Sequence, residues 1–203
     1  MENSHSREAS FDDRTRSPPK RGRSTAPPSP KPMSPASPDS PASPDHDADF
    51  QRRLTAVGTR LRDLAQRRLD GLTDPDPASG ERWEAGQVWA HIAEFIPYWI
   101  AQAERVLASE SPDPVPFGRT RTSPERVAAI ERDRHRGTTP LWHDIREDLN
   151  DLRAFLAEIP EHRWRVRGLH PTLGTMPVSQ IVEELLIGHL EEHAAQLERL
   201  RSA

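Results

Sequence analysis

Two histidines one helical turn apart, His189 and His193, are the residues of this sequence best placed to do chemistry. They lie in VSQIVEELLIGHLEEHAAQLERL, residues 178–200, where Val178, Ile181, Val182, Leu185, Leu186, Leu190, Leu197 and Leu200 recur at the spacing of one buried helix face. A separation of four brings their Cβ atoms to about 5–6 Å, so both imidazoles can reach one metal ion. Two hydrogen-bonded core histidines would show the same spacing, and the pair alone does not decide between these readings. A third histidine, His91, falls on the inner stripe of an earlier helix between Val88 and Phe95, which aims it at the same interior.

The elements that must position these rings can be read from periodicity. Phe50, Leu54, Val57, Leu61 and Leu64 form a heptad-like seam, with Asp47 or Asp49 able to cap the helix that carries it. A second helix is expected from about Glu84 to Leu107, with Pro97 removing the amide that would bond to the carbonyl of Ala93 and so kinking it there. Ser123-Pro124-Glu125 starts a helical arm that Gly137 and Thr138-Thr139-Pro140 interrupt before it resumes through Leu141, Ile145, Leu149, Leu152 and Leu156. The Pro-rich loop of residues 111–122 is long enough for a crossover, and residues 161–177 are expected to be irregular. No strand-like alternation persists, so the expected fold is all-α, a four-helix bundle.

Composition sets this bundle apart from the residues before it. Ten of the 21 prolines lie before Asp49, in a segment poor in apolar residues and punctuated by Ser-Pro steps. Residues 1–48 are therefore expected to be a disordered Pro/Ser-rich tail, and residues 49–203 the bundle. The tail is basic from Arg7 to Lys31 and acidic from Pro32 to Asp49, so it can also be read as a basic patch switched off by serine phosphorylation. An overall pI of 6.1 argues against nucleic acid as the main ligand. No apolar run reaches the length of a membrane span or a signal peptide, so a cytoplasmic location is expected. The absence of cysteine means that any metal is held by nitrogen and oxygen, and that any reacting thiol comes with a substrate.

Three segments together resemble the DinB-like superfamily. Trp83-Glu84-Ala85-Gly86-Gln87-Val88-Trp89-Ala90-His91 resembles the Trp-to-His signature that opens the second helix of those bundles. His170-Pro171-Thr172-Leu173-Gly174-Thr175-Met176-Pro177, with the helix of His189, His193 and Gln196, is similar to the family's glycine loop and H-x-x-x-H helix. Glu84 departs from the small capping residue usual after the tryptophan, although a carboxylate still suits the first turn of a helix. The resemblance implies a bundle in which His91, His189 and His193 hold one divalent metal, with zinc, nickel, iron and manganese all accepting three nitrogens. It also implies a transferase or isomerase that uses a low-molecular-weight thiol of the mycothiol or bacillithiol type. Three imidazoles leave a coordination position open, where a thiol or water would lose its proton near neutral pH and attack a small electrophilic substrate.

Around this centre, Gln196, Glu192 and His170 are candidates to orient a ring or line the cavity mouth, whereas His135, His143 and His162 read as solvent-facing. Trp89, Trp99, Trp142 and Trp164 read as core or boundary aromatics, because no basic residues interleave with them. Two alternatives stand beside the enzyme. One is a non-catalytic metal-binding bundle acting as a stress-related or interaction module; the other is a regulatory protein whose basic arm binds its target and whose bundle forms a homodimer.

Overall fold

The computed structural model describes residues 46–77 and 79–202. The expected tail therefore lies almost wholly outside the described residues. Four helices precede the last one: α1 (His46–Ala65), α2 (Ala85–Leu107), α3 (Pro124–Asp133) and α4 (Thr138–Ala157). The last helix is continuous but composite, with an α-helical segment Val178–Val182, a π-helical turn Glu183–Ile187 and an α-helical segment Gly188–Arg199. The architecture is the four-helix bundle, formed by α1, α2, α4 and the last helix, with α3 laid against α2.

Each long helix is held by the face its periodicity marks. On α1, Phe50, Leu54, Val57, Leu61 and Leu64 are all buried, each contributing on the order of 1.5–3 kcal/mol by removal from water. Asp47 and Asp49 lie within the first turn of α1 rather than capping it, where they still oppose the positive end of the helix. On α2, Val88, Ile92, Phe95, Trp99, Ala103 and Val106 face the core, and the helix runs unbroken through Pro97. Glu84 caps α2, and its backbone N–H donates to Oε1 of Gln87 at 3.1 Å, so the residue that departs from the family pattern still serves the helix start.

Around the bundle the order is α1, α4, α2, last helix, since α1 packs on α4 and on the last helix, and α2 packs on both as well. The pairs α1 with α2 and α4 with the last helix thus occupy diagonal corners, while α2 and α4 are neighbours, and the crossovers are the connections 66–84 and 158–177. The loop after α2, expected to cross, leads instead to α3 and α4 on the neighbouring corner. Its residues Val115–Pro116 (β2) pair in parallel with Arg167–His170 (β3), which pairs antiparallel with Gly174–Pro177 (β4). The stretch 161–177 is accordingly not irregular: it forms a 3-10 turn, Glu161–Arg165, and this hairpin. Four-residue strands are too short to leave a readable alternation. Leu69–Asp70 (β1) pairs with Arg201–Ser202 (β5), tying the first crossover to the chain end.

Two glycines permit close approaches near the functional face. A Cβ on Gly188 would fall 2.8 Å from the carbonyl oxygen of Glu183, which bonds to the N–H of Gly188 across the π turn. Gly118, at φ +81°, lies so close to His170 that a Cβ would fall 2.4 Å from its Cδ2.

Candidate metal centre

His91 on α2 and the pair on the last helix meet in the bundle interior. Nε2 of His189 lies 3.1 Å from Nε2 of His91 and 3.1 Å from Nε2 of His193, and one nitrogen from each ring lies within 4.8 Å of the others. His91 and His193 are buried at 3% and 6% exposure, while the side chain of His189 is 31% exposed, which leaves the centre open on one side. The π turn just before His189 inserts a residue into the helical repeat and resets the phase of the helix beyond it, as such bulges commonly do at functional sites. Ile187, outside the face read from the sequence, is buried, while Leu185, on that face, is only partly buried.

The outward nitrogens repeat a pattern. Three residues after each histidine comes an oxygen acceptor facing its Nδ1: Glu94 for His91 at 3.7 Å, Glu192 for His189 at 3.6 Å and Gln196 for His193 at 2.8 Å. Only the last is a direct hydrogen bond, with Nδ1–H donating to Oε1. Protons placed on Nδ1 toward these oxygens leave three Nε2 lone pairs directed at each other. Lone pairs about 3 Å apart repel, and a shared cation would relieve them. Nitrogens bound about 2.0–2.1 Å from one ion at tetrahedral or octahedral angles lie roughly 2.9–3.4 Å apart, so both 3.1 Å separations suit such an ion. Burial first, and then the neighbouring imidazoles, hold the pKa of His91 and of His193 well below the usual histidine value. Both rings are neutral at pH 7, as ligation requires.

Buried groups behind His91 complete the support. Nδ1 of His91 and Oε2 of Glu94 face each other without a hydrogen-bond partner, and a small closure would join them. The other oxygen of Glu94 pairs with Arg119, both side chains being nearly buried, and the Arg119 guanidinium lies 3.7 Å from the Tyr98 ring centroid. Trp83 stacks on His193 with ring planes 5° apart and meets His91 edge-on. Its backbone is pinned to Thr73, whose Oγ1 accepts the Trp83 N–H at 2.9 Å. Phe95 closes the other side, its ring 4.7 Å from that of His189.

The remaining candidates divide. Gln196 contacts His193 directly. The Glu192 side chain is 76% exposed yet still faces His189. His170 is buried, and its Nδ1 accepts the N–H groups of Thr172 and Leu173, so it closes the β3–β4 turn and borders a cavity beside the triad without joining it. His135, His143 and His162 are exposed. Two arginines of α1 reach the last helix, Arg53 gripping Glu183 and Glu191 and Arg60 gripping Glu198, while Arg52 and Arg62 are exposed. Sequence reading missed Glu94, Arg119 and Arg126 as site residues. The acceptor three residues after each histidine was a visible signal for Glu94; nothing local marks the two arginines.

A scan against known protein families finds no match, and a sequence search of curated proteins finds none either. Solved structures do match. YfiT from Bacillus subtilis, described as a probable metal-dependent hydrolase with an unusual four-helix bundle topology, is 16% identical with a TM-score of 0.61, over 82% of this chain and 92% of its own. A mycothiol-dependent maleylpyruvate isomerase is 16% identical with a TM-score of 0.56, over 74% of this chain and 62% of its own. A mutant of that isomerase matches at 15% identity and the same TM-score, over 77% and 64%. This chain thus spans less than two thirds of the isomerase. These likenesses show the fold and agree with the one expected from the sequence: the chain has a four-helix-bundle fold similar to that of YfiT and of the isomerase.

Proposed function

We propose that this chain is a divalent-metal-dependent enzyme, a transferase or isomerase in which His91, His189 and His193 hold the ion and a low-molecular-weight thiol attacks a small electrophile. The observation that carries the reading is the convergence of three Nε2 atoms, each ring backed by an oxygen acceptor. A bound ion would supply Lewis acidity at its open positions, lowering the pKa of a thiol or water brought there. The chain's residues supply the rest. Gln196 and Glu94 fix the ring orientations, Arg119 fixes Glu94, and Trp83 and Phe95 exclude water from two sides of the triad. With no cysteine in the chain, the thiol enters as a co-substrate.

Water as the nucleophile is the second reading, favoured by the likeness to a probable hydrolase over 92% of that protein's length. Purified metal-loaded protein assayed on electrophiles and esters, with and without a panel of small thiols, separates the two. Turnover that requires a thiol supports the transferase or isomerase. Thiol-independent hydrolysis supports the second reading, and no rate above buffer in either arm returns the chain to a non-catalytic metal-binding module.

A further inference from the structure

Two cavities flank the triad, of about 320 and 220 Å³, and His91, His189, Arg121 and Arg126 line both. The larger, beside Trp83, mixes Asp74, Asp76, Glu81 and Glu192 with its arginines. The smaller, beside His170, has Arg119, Arg121 and Arg126 in its wall and no carboxylate. Two of these cations are compensated, Arg119 by Glu94 and Arg121 by Asp76 at 2.9 Å. Arg126 is not. Among the described residues it forms no ion pair; Nη1 donates to the carbonyl of Arg121 at 3.0 Å, and the guanidinium lies 5.4 Å from the Trp83 ring centroid. It is half-buried, and burial lowers its pKa despite the attraction of Glu94 and Glu81. A cation withdrawn from water without a partner destabilises the free protein unless something else offsets it.

We propose that Arg126 is a substrate-binding residue that receives the carboxylate of a small organic acid in the arginine-lined cavity, with the acid's reacting carbon turned toward the histidines. The inference rests on the enzymatic reading of the same site and names its substrate class. A guanidinium presents two parallel N–H donors that match the two oxygens of a carboxylate. One unpaired cation balances one negative charge, which suits a carboxylate better than a phosphate dianion. Thr120 and Thr172 in the same wall offer hydroxyls to polar groups further along the acid. The cavity is below the usual range for drug-sized ligands, so the acid has a few carbons rather than a long chain.

The test is a ligand-detected NMR titration of the full chain with propionate, propionamide and inorganic phosphate, on the parent, Arg126→Gln and Arg126→Lys, with metal content measured on the same samples. Propionate is expected to bind about tenfold or more tightly than propionamide in the parent. Arg126→Gln should abolish that preference and Arg126→Lys retain part of it, while all three proteins keep their metal. Equal affinity for acid and amide, no binding of either, or a preference that survives in Arg126→Gln overturns the proposal, and phosphate binding more tightly than propionate overturns the carboxylate assignment. Metal absent from the parent while the preference persists would instead overturn the metal-enzyme reading, so the two failures are distinguishable.

Discussion

The arginines of α1 and those of residues 119–126 resemble each other in sequence and differ in what they touch. On α1, Arg52 pairs with Asp49, Arg53 with Glu183 and Glu191, and Arg60 with Glu198. The Arg53 and Arg60 pairs join α1 to the last helix along an interface already sealed by apolar residues. In the second set, Arg119 is consumed by a buried carboxylate that faces a histidine, and Arg126 has no acidic partner among the described residues. Abundance of arginine therefore says little about function. What matters is whether the fold supplies a paired counter-charge, and beside the triad Arg126 has only the longer-range attraction of Glu94 and Glu81.

Substitutions in the two sets test this contrast at decreasing effect size. Replacing His91, His189 or His193 by alanine should take bound metal from one per chain to none by elemental analysis, while Arg53→Ala retains it; metal retained by any of the histidine variants would remove the centre that the second set surrounds. Glu94→Gln should lower metal affinity by about 10–100-fold in a competition titration with a chelator, because it weakens the acceptor facing His91 and unpairs Arg119. Unchanged affinity would reduce Glu94 to a salt-bridge partner. Arg53→Ala should cost on the order of 1 kcal/mol in denaturant unfolding, since its partly exposed pairs are screened by solvent, and should leave metal affinity within twofold. A loss of metal there would erase the distinction between the two sets.

The smallest effect concerns the converse case, a half-buried carboxylate with no cation paired to it among the described residues. Burial, with Asp151, Asp144 and Glu147 adding to it, pushes the Asp148 carboxyl up to about 6. Between roughly pH 4 and 6 the folded chain keeps a proton that the unfolded chain has released, so stability falls as pH rises through that window. Asp148→Asn should remove the fall and stabilise the chain above pH 6 by about 1 kcal/mol after allowance for solvent screening, read as a difference in unfolding midpoint between pH 4 and pH 7. Identical pH dependence in the variant would show that Asp148 ionises freely.

Periodicity carried much of this molecule. The seam of α1, the inner face of α2 with His91 on it and the four-residue step from His189 to His193 all arise from which residues repeat every three or four positions, a local property that any helix expresses, and the break at Gly137 follows from the glycine itself. The π turn at Glu183–Ile187 escaped that reading because one added residue changes the phase of a helix without changing its composition. The short hairpin escaped because four residues hold too little alternation to recognise.

The amino-acid sequence by itself determined the helices, the faces they bury and the histidines they carry, since backbone hydrogen bonding and apolar burial act within a few turns. Only the tertiary structure decided that α1 and α2, and likewise α4 and the last helix, stand at diagonal corners, that the crossovers fall at residues 66–84 and 158–177, and that Glu94, Trp83, Arg119 and Arg126 gather round the three rings. Contacts between residues far apart in the chain are fixed by how faces interlock, and charge pairing across such contacts depends on distances of a few ångströms that no local pattern encodes.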